Sequence, residues 1–588
     1  MSNTARRQSV TYPNGRVVNL GYGATGSVDD LFSLVKSAAI SGESGNKVEY
    51  TRAGLGRFVK IAYPQPAVEM SMIRPGGGSM GDSGDPYDGY DRFSRVQEMR
   101  WQNSATGTPI DAWQWGFNEA SNRTWKKNLV ASSGQDEAYG YDGLYQVIRD
   151  AVGTLNTNRT AIGGIPGEEE DFTYDPTGNW LGYRKDTNGT AALNQSRSNN
   201  QDNQLTQIDG NSALLSYDRA GNATKTAPGT NGNWSKYYQP VWDAWNRLVE
   251  IKDETGASVQ KNTYDGLSRR ITKESGSTVT HTYWSDRWKP LEERIGSSTS
   301  ASRSYLWGER PGHRDELVLR DRDTNGDGSL DERLYATMDY FNGTAVLNTS
   351  GVVQERYAYS AFGVRRIMAA DFSPRSTSSY AWDFGFQGQF RDVETGWYNY
   401  GYRFYVPELG RWINRDPIGE KGGVNLFAFV RNQAPNAVDR LGLSGTETTR
   451  KVGKCEILLV YGHGADWYDH KFDFESSCAR AGFLGCGMKN SMEQIPDAQR
   501  YPSDPGPSGQ QDDTAIWQGL KAAVAGAKEE AKELCTSECC KDDPGHVMLK
   551  IEFAPHNTFN GRMLDSIKGF DNYAASLGGK SQTLQCDG

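Results

Sequence analysis

Tyr217-Asp218-Arg219-Ala220-Gly221-Asn222 is one copy of a motif that recurs along the first half of the chain and decides its fold. Each copy has a tyrosine or tryptophan before an aspartate, then a short turn, and often an arginine followed by an apolar residue. The other copies are Tyr90-Asp91 to Arg95-Val96, Tyr141-Asp142-Gly143, Tyr174-Asp175 to Asn179, Trp242-Asp243 to Arg247-Leu248, and Tyr264-Asp265-Gly266 to Arg269-Arg270. Such recurrence is typical of a repeat array.

The chemistry of one copy predicts a β-hairpin. An aspartate before Pro, Gly or Asn favours a turn because its carboxylate accepts hydrogen bonds from the backbone ahead. The flanking residues alternate apolar and polar, as in Arg247-Leu248-Val249-Glu250-Ile251, which is typical of a half-buried strand. A single hairpin is marginally stable in water, so successive hairpins must stack, and we expect the aromatic rings to supply their shared core. The alternative is an ordinary β-sandwich with chance Tyr-Asp pairs.

Composition and charge agree with a β-rich, water-exposed protein. The 588 residues include 67 glycines, 30 tyrosines and 16 tryptophans, and a disordered chain lacks such a number of rings. The net charge of −9 argues against a broad nucleic-acid-binding face. The longest aliphatic run, Ile457–Val460, is far shorter than the ~20 residues of a membrane helix. Residues 1–20 contain no apolar core of a standard signal peptide, so we expect any export to use a specialised machine.

Residues 321–332 carry the ligand pattern of a calcium loop. The segment fits D-x-[DN]-x-[DN]-G-x5-E, in which oxygen ligands alternate along the chain around a glycine turn. The candidate ligands are Asp321, Asp323, Asn325, the carbonyl of Asp327, Ser329 and Glu332. The segments on either side, Leu317–Leu319 and Arg333–Tyr335, have strand character. The pattern therefore predicts a hairpin tip that holds Ca²⁺, with an acidic turn in water as the alternative.

The most specific stretch runs from Phe384 to Leu443. Its ordered elements are Phe386-Gln387-Gly388-Gln389, Thr395-Gly396-Trp397-Tyr398, Arg403-Phe404-Tyr405, Leu409-Gly410-Arg411-Trp412-Ile413, Arg415-Asp416-Pro417-Ile418-Gly419 and Asp439-Arg440-Leu441-Gly442-Leu443. Together with the repeats, this stretch resembles the Rhs (rearrangement hotspot) family, whose YD repeats precede an Rhs-associated core domain.

The resemblance implies a mainly β fold. In it, YD-repeat hairpins wind into a spiralling shell that the core domain closes, and a small α/β or α+β domain follows. The implied domains are a β-shell at 1–320, the acidic calcium-like loop with the last shell strands at 321–380, the core domain at 381–443, and a variable cysteine-containing domain at 444–588. The implied function is to encapsulate the last domain as cargo and release it as an effector or toxin. The implied partners are an immunity protein and a secretion machine that delivers the chain outside the cell or to its surface.

The resemblance also implies an aspartyl autoprotease in the core domain. In the family, two Asp-Pro-x-Gly-Leu motifs lie close together, and the chain is cut after the second. Here Asp416 opens Asp-Pro-Ile-Gly-Glu and Asp439 opens Asp-Arg-Leu-Gly-Leu, so Glu420 and Arg440 depart from the pattern. The implied catalytic pair is Asp416 with Asp439, and the implied cut separates Leu443 from Ser444.

The chemistry of two carboxylates suits such a role. Peptide hydrolysis needs one ionised carboxyl and one protonated carboxyl, and proximity separates the pKa values of two aspartates. Arg440 either lowers the pKa of Asp439 and favours the ionised form, or pairs with it and silences the site. Arg415 is a second candidate modulator. The alternative is that both aspartates only cap turns.

Residues 444–588 contain all seven cysteines. We expect a strand at Cys455–Tyr461, a helix at 514–535 and a second strand at Val547–Phe553. His463, between two glycines at the end of the first strand, is a candidate catalytic or metal-binding residue of a hydrolase, against a turn-packing role. The cysteines fit disulfides, a zinc site with a histidine, or buried thiols.

Two other functions fit the same sequence. A non-enzymatic surface or secreted repeat protein would use its aromatic residues to bind carbohydrate or partner cells. A truncated Rhs fragment would have no activity.

Overall fold

A computed structural model of the chain describes most of residues 6–443 and the backbone of six strands after them. The described ranges are 6–53, 57–73, 89–309, 316–443, 445–447, 454–463, 470–479, 489–494, 547–553 and 581–584. The chain forms two compact units. One comprises Met1–Asn118 with Asn122–Thr449, and the other comprises Arg450–Gly588 with residues 119–121.

The larger unit begins with an antiparallel sheet of fifteen strands, in which each strand pairs with the next one along the chain. The strands are β1 (Ser9–Thr11), β2 (Val17–Gly21), β3 (Ser37–Ile40), β4 (Asn46–Ala53), β5 (Arg57–Tyr63), β6 (Val68–Ser71), β7 (Glu98–Asn103), β8 (Pro109–Phe117), β9 (Arg123–Asn128), β10 (Asp136–Tyr141), β11 (Val147–Gly153), β12 (Glu168–Tyr174), β13 (Trp180–Thr187), β14 (Thr190–Asn199) and β15 (Leu205–Ile208). A short helix, α1 (Val28–Leu31), lies between β2 and β3.

A second antiparallel sheet of thirteen strands follows in the same unit. A two-stranded ribbon, β16 (Ser216–Tyr217) with β17 (Ala223–Lys225), precedes it. Its strands are β18 (Gln239–Trp242), β19 (Leu248–Lys252), β20 (Ser258–Tyr264), β21 (Arg270–Ser275), β22 (Thr278–Trp284), β23 (Pro290–Ile295), β24 (Arg303–Trp307), β25 (Leu317–Arg322), β26 (Glu332–Met338), β27 (Gly343–Leu347), β28 (Val353–Tyr359), β29 (Arg365–Ala369) and β30 (Pro374–Arg375). This sheet continues without a break to Arg375, so position 320/321, where the sequence divided the shell from the acidic loop and last shell strands, lies within β25.

Each repeat aspartate organises a turn between two strands, as the sequence predicts. Asp243 Oδ1 accepts hydrogen bonds from the backbone N–H groups of Trp245 (2.9 Å) and Arg247 (3.0 Å). Its Oδ2 accepts from Arg247 Nε at 2.7 Å. Asn246 has φ of 60°, a left-handed conformation that favours Gly or Asn and explains the composition of this position. Arg247 Nη1 also donates to the carbonyl of Asp265 at 3.2 Å, which ties one turn to the next.

The aromatic ring before each aspartate is half-buried and ties its strand to the preceding repeat. Tyr264 Oη donates to the carbonyl of Leu248 at 2.7 Å. The same kind of bond joins Tyr90 to Phe58, Tyr141 to Arg123, Tyr174 to Val147, and Trp242 to Ala223. A ring with a polar tip therefore supplies both apolar contact and a satisfied donor. The most deeply buried rings belong to other positions, such as Trp101 and Trp397.

The core domain lies at the end of the larger unit and has an aromatic centre. Its strands are β31 (Phe390–Arg391), β32 (Tyr398–Asn399), β33 (Phe404–Val406), β34 (Arg411–Trp412), β35 (Ala437–Asp439) and β36 (Gly445–Glu447). Its single turns of 3₁₀-helix are Phe386–Gly388, Gly419–Gly422 and Val430–Asn432, and Thr230–Gly232 is a further one in the shell. Tyr405 and Phe429 stack with their ring centroids 4.0 Å apart, and both lie within 5.5 Å of Trp412.

Three asparagines fasten the core domain to the row of repeat turns. Asn425 Nδ2 donates to Asn179 Oδ1 at 2.8 Å, and Asn432 Nδ2 donates to the carbonyl of Gly178 at 2.7 Å. Asn436 Nδ2 donates to Tyr141 Oη at 3.1 Å. Because these bonds join buried groups, they hold the core domain in one position on the shell.

A group of buried carboxyls lies where the two sheets meet. Asp150 on β11 faces Glu170 on β12 and Tyr139 on β10 across the strands. Its Oδ2 accepts the N–H of Ala361, from the turn after β28, at 2.6 Å. Burial, together with the neighbouring carboxyls of Glu137 and Glu170, raises the pKa of Asp150 well above its ordinary value, and Arg366 opposes that shift.

We expect Asp150→Asn to stabilise the fold at about pH 8 by about 1–3 kcal/mol. A raised folded pKa means that the contribution of Asp150 to stability is present in acid and is lost as the pH rises through that pKa. The amide removes this loss, so the variant should melt above the native chain at about pH 8, with little difference near pH 4. The exposed Asp202→Asn serves as the control in the same thermal melts. Equal melting curves for Asp150→Asn and the native chain at alkaline pH would contradict the prediction.

The smaller unit contains a five-stranded sheet in the order β39-β38-β37-β40-β41. The strands are β37 (Lys454–His463), β38 (His470–Ala479), β39 (Lys489–Gln494), β40 (Val547–Phe553) and β41 (Ser581–Leu584). β37 and β40 pair in parallel and the other pairs are antiparallel. Both strands predicted from the sequence are confirmed, and the predicted helix at 514–535 lies outside the described residues. Within the described part of the chain, no helix has the length and apolar character needed to cross a membrane.

Candidate active site

Asp416 and Asp439 are both buried, with 8% and 2% of their surface exposed. Asp416 follows β34, and its backbone N–H donates to the carbonyl of Leu426 at 3.0 Å. Asp416 Oδ1 accepts the N–H of Ile418 at 3.0 Å, which closes the Asp-Pro turn. Asp439 ends β35 and precedes the segment that holds the expected cut.

The side chain of Asp439 holds the residues that precede the expected cut. Its Oδ1 accepts the backbone N–H groups of Leu441 (3.2 Å), Gly442 (2.7 Å) and Leu443 (3.2 Å). Gly442 has φ of 70°, a left-handed conformation that favours glycine at this point of the turn. The carboxylate therefore fixes the path of the chain up to the Leu443–Ser444 bond.

One guanidinium joins the two aspartates. Arg403 Nη2 lies 2.9 Å from Asp416 Oδ2 and 3.3 Å from Asp439 Oδ2. Arg403 Nε donates to the carbonyl of Gly442, and the guanidinium carbon lies 4.1 Å from the ring centroid of Trp412. A planar, permanently charged group can bond several acceptors at once, which a lysine cannot do in this geometry.

The carbonyl oxygen of Leu443 lies beside Asp416. Gly422 borders the space between them, and a Cβ placed on it would lie 2.4 Å from Asp416 Oδ2 and 3.2 Å from Leu443 O. Gly422 thus packs against both Asp416 and the carbonyl of the expected scissile bond, at a distance that leaves no room for a larger residue.

Burial sets the ionisation of these groups. It raises the pKa of both Asp416 and Asp439 above their ordinary values, while the positive charge of Arg403 opposes the rise. Burial also lowers the pKa of Arg403 to about 10. The arginine therefore keeps its charge at neutral pH, and it sits between two carboxyls that bind protons more readily than usual.

The arginine that contacts the aspartates is not one of those chosen from the sequence. Arg440 is exposed, and its backbone carbonyl accepts a hydrogen bond from Gln389. Arg415 Nη2 lies 3.7 Å from Asp202 Oδ2, in a repeat turn. Arg403, which directly precedes β33, takes the position expected of them. A charged residue inside an aromatic run, Arg403-Phe404-Tyr405, was the signal for a buried, paired cation. Glu420, the other departure, is exposed.

The calcium-like segment forms a hairpin tip, as predicted, but its first and last ligands are held by arginines. Asp321 contacts Arg16 at 2.5 Å and Arg333 at 2.7 Å. Glu332 contacts Arg320 at 2.7 Å and Arg322 at 3.0 Å. These ion pairs orient both carboxylates towards arginines and not towards the candidate ligands at the hairpin tip.

The remaining candidate ligands bond the backbone of the tip. Asp323 Oδ1 accepts the N–H of Gly326 at 2.7 Å, Asn325 Oδ1 accepts that of Asp327 at 2.9 Å, and Asp327 Oδ1 accepts that of Ser329 at 2.7 Å. Within the described residues, no group of three or more His, Cys, Asp and Glu side chains is arranged to hold a metal ion. In this structure the candidate ligands therefore bond arginines and the backbone of the tip.

Calcium binding at this tip stays a prediction, and titration calorimetry of the full chain at millimolar CaCl₂ tests it. If the native chain shows a heat of calcium binding and Asp323→Asn does not, the ion binds at the hairpin tip. Absence of heat would leave an acidic turn in water.

His463 ends β37, and the strand register places it opposite His470 on β38. The same register places Cys455 opposite Cys478. The side chains of this unit, the other five cysteines and the loop after His463 lie outside the described residues, so the catalytic, metal and disulfide predictions for it stay predictions.

Comparisons with known proteins agree with this architecture. No protein-family model matches the chain. The curated toxin subunit YenC2 of Yersinia entomophaga is 24% identical over 384 residues, which cover 59% of this chain. The probable deoxyribonuclease RhsB of Dickeya dadantii is 25% identical over 359 residues, or 54% of this chain. The crystal structure of TcdB2-TccC3-TEV matches 75% of the chain with a TM-score of 0.56 at 17% identity. The chain is therefore similar in sequence to Rhs and YenC toxin subunits, and its fold is that of the TcdB2-TccC3 shell.

The chain spans less than half of the length of the relatives that it matches. It spans 37% of YenC2, 23% of RhsB and 21% of the TcdB2-TccC3-TEV chain. The structural match shows the fold of the β-shell, and the two-aspartate site described above lies at the end of that shell.

Proposed function

We propose that this chain is a β-shell that encapsulates its own C-terminal domain, residues 444–588, and frees it by hydrolysis of the Leu443–Ser444 bond. The observation that carries the proposal is the placement of Asp416, Asp439 and Arg403 around the segment that ends at Leu443. Similarity to YenC2 and to RhsB supports a toxin as the cargo.

The geometry supports distinct roles for the two carboxyls. Burial raises the pKa of Asp439 as well, but the three backbone N–H groups that it accepts and its contact with Arg403 oppose that rise and favour its ionised form. Asp416 faces the carbonyl oxygen of Leu443 and has a raised pKa, which suits the protonated acid.

In the proposed reaction, the oxygen of a water molecule bonds to the carbonyl carbon of Leu443. Asp439 takes the proton of that water, and Asp416 gives its proton to the carbonyl oxygen. The C–N bond then breaks, the proton on Asp439 passes to the nitrogen of Ser444, and Asp416 recovers its proton from the hydroxyl group. The products are a carboxyl group on Leu443 and a free amine on Ser444.

Self-cleavage is expected to be fastest in mildly acidic buffer and to slow as the pH rises. Burial raises the pKa of Asp416, so its protonated form persists above the ordinary value of about 3.9 and is lost as the pH passes the raised value. To measure the rate of self-cleavage, the full-length chain is unfolded directly after cell-free synthesis and refolded at a series of pH values. Intact mass spectrometry then follows the loss of the full-length species with time. A rate that increases steadily towards alkaline pH would contradict the assignment of Asp416 as the acid.

The released domain is proposed to act on a target cell after export by a specialised machine, with an immunity protein to protect the producer. Expression of residues 444–588 in bacteria tests the toxic activity. Growth arrest that a neighbouring gene relieves supports a toxin. Harmless accumulation of a folded domain, shown by circular dichroism, favours the alternative of a repeat protein with an inert tail.

A further inference from the structure

The first residues after the expected cut form a strand on the catalytic element. β36 (Gly445–Glu447) pairs antiparallel with β35, and the register matches Asp439 with Gly445, Val438 with Thr446, and Ala437 with Glu447. The Leu443–Ser444 bond lies in the segment of chain that connects the two paired strands, of which the first ends in Asp439.

The opposite edge of β35 is occupied by the side chain of Gln387. Gln387 Oε1 accepts the N–H of Asp439 at 3.1 Å, and its Nε2 donates to the carbonyl of Ala437 at 3.0 Å. Successive residues of a strand point their backbone groups to opposite edges. The N–H and C=O of Val438 are thus directed towards β36, where the register partner is Thr446.

The chain is held by different interactions on the two sides of the expected cut. On the upstream side, Asp439 binds the N–H groups of Leu441–Leu443 with its side chain. On the downstream side, the contact runs between backbone groups of Val438 and Thr446. Recognition by strand addition uses main-chain hydrogen bonds, which every residue except proline can supply.

We propose that the autoprotease recognises the cargo side of its cut by strand pairing, with the backbone of Thr446 bonded to Val438. This inference rests on the proposed self-cleavage and adds its downstream specificity. Because this recognition uses main-chain groups, the site then accepts any residue except proline at position 446. Gln387 is a positioning residue that keeps β35 open to the substrate on one edge only.

Three variants of the full chain test the pairing by the rate of self-cleavage. Thr446→Pro removes the N–H and should slow cleavage by more than about tenfold. Thr446→Val keeps the N–H and should cleave like the native chain. Glu447→Pro introduces a proline at the next residue, where the backbone N–H is expected to point away from β35. This variant should therefore cleave within about twofold of the native rate. Native-like cleavage of Thr446→Pro, or an equal loss in Thr446→Val, overturns the proposal.

A second measurement separates the pairing from the chemistry. In full-length Asp416→Asn, hydrogen exchange should show slow exchange of the Thr446 amide, and Gln387→Ala should speed it. An uncleaved native chain would overturn the proposed self-cleavage while slow exchange still supported the pairing. Thr446 exchange at the rate of an unprotected amide overturns the pairing, whatever the native chain does.

Discussion

Asp416→Asn is expected to leave the chain at its full mass of 65.1 kDa, while the native chain separates into residues 1–443 and 444–588. The amide cannot give a proton to the carbonyl of Leu443, which faces Asp416 across the space beside Gly422. Loss of a positioned general acid lowers the rate by about 10²–10⁴-fold. Asp439→Asn is also expected to abolish cleavage, because it removes the base and weakens the contacts to Leu441–Leu443. Intact mass spectrometry of the purified proteins provides the measurement.

The matched control is Asp371→Asn, which replaces an exposed aspartate that bonds Ser373 in the turn between β29 and β30. It should cleave at the native rate. Circular dichroism and thermal melts must show that Asp416→Asn is folded. Full cleavage in folded Asp416→Asn, or a native chain that stays intact, would refute the two-aspartate mechanism.

Arg403→Gln is expected to produce the second largest effect, a combined loss of cleavage and of stability. The substitution leaves Asp416 and Asp439 buried without their shared cation, and breaking a buried charge pair costs about 3–5 kcal/mol. It also removes the bond to the carbonyl of Gly442, next to the cut. Because the opposing charge is gone, the pKa of both aspartates rises further, and both become protonated. Thermal denaturation and intact mass measure the two effects.

Arg270→Gln separates the loss of stability from the loss of catalysis. Arg270 forms a buried two-point contact with Asp392, at 2.6 and 2.8 Å, between the shell strand β21 and the core domain. We expect this variant to lose a similar amount of stability but to cleave normally at a temperature where it is folded. If the loss of cleavage in Arg403→Gln and Arg270→Gln follows the decrease in melting temperature of each variant, Arg403 affects cleavage only by stabilising the fold.

Local sequence signals were sufficient for the hairpins and for the hairpin tip at 321–332. An aspartate that bonds the N–H groups two and four residues ahead needs no distant partner, so its turn can be predicted from a short segment. The strands at Cys455–Tyr461 and Val547–Phe553 follow in the same way from apolar runs. The predicted domain boundaries stay predictions, and the last strands of the second sheet lie at 321–375, within the segment predicted to hold the last shell strands.

The position of the counter-charge could not be predicted from neighbours in the chain. Arg440 and Arg415 are adjacent to the aspartates in sequence, yet Arg440 is exposed and Arg415 lies near Asp202. Arg403 reaches both carboxylates because β33 and the turn after β34 pack side by side around Trp412. The same reasoning applies to Asp321 and Glu332, whose arginine partners come from neighbouring strands.

The sequence by itself determined the repeating Asp-centred turns, the mainly β architecture and the candidate pair Asp416 and Asp439, since these depend on short-range hydrogen bonds and on residue pattern. Tertiary contacts were needed to show that Arg403 bridges the pair, that Gly422 packs closely against Asp416 and Leu443, and that β36 pairs with β35. Those three features depend on groups brought together from separate strands, and burial gives their charges and hydrogen bonds a strength that no local pattern reveals.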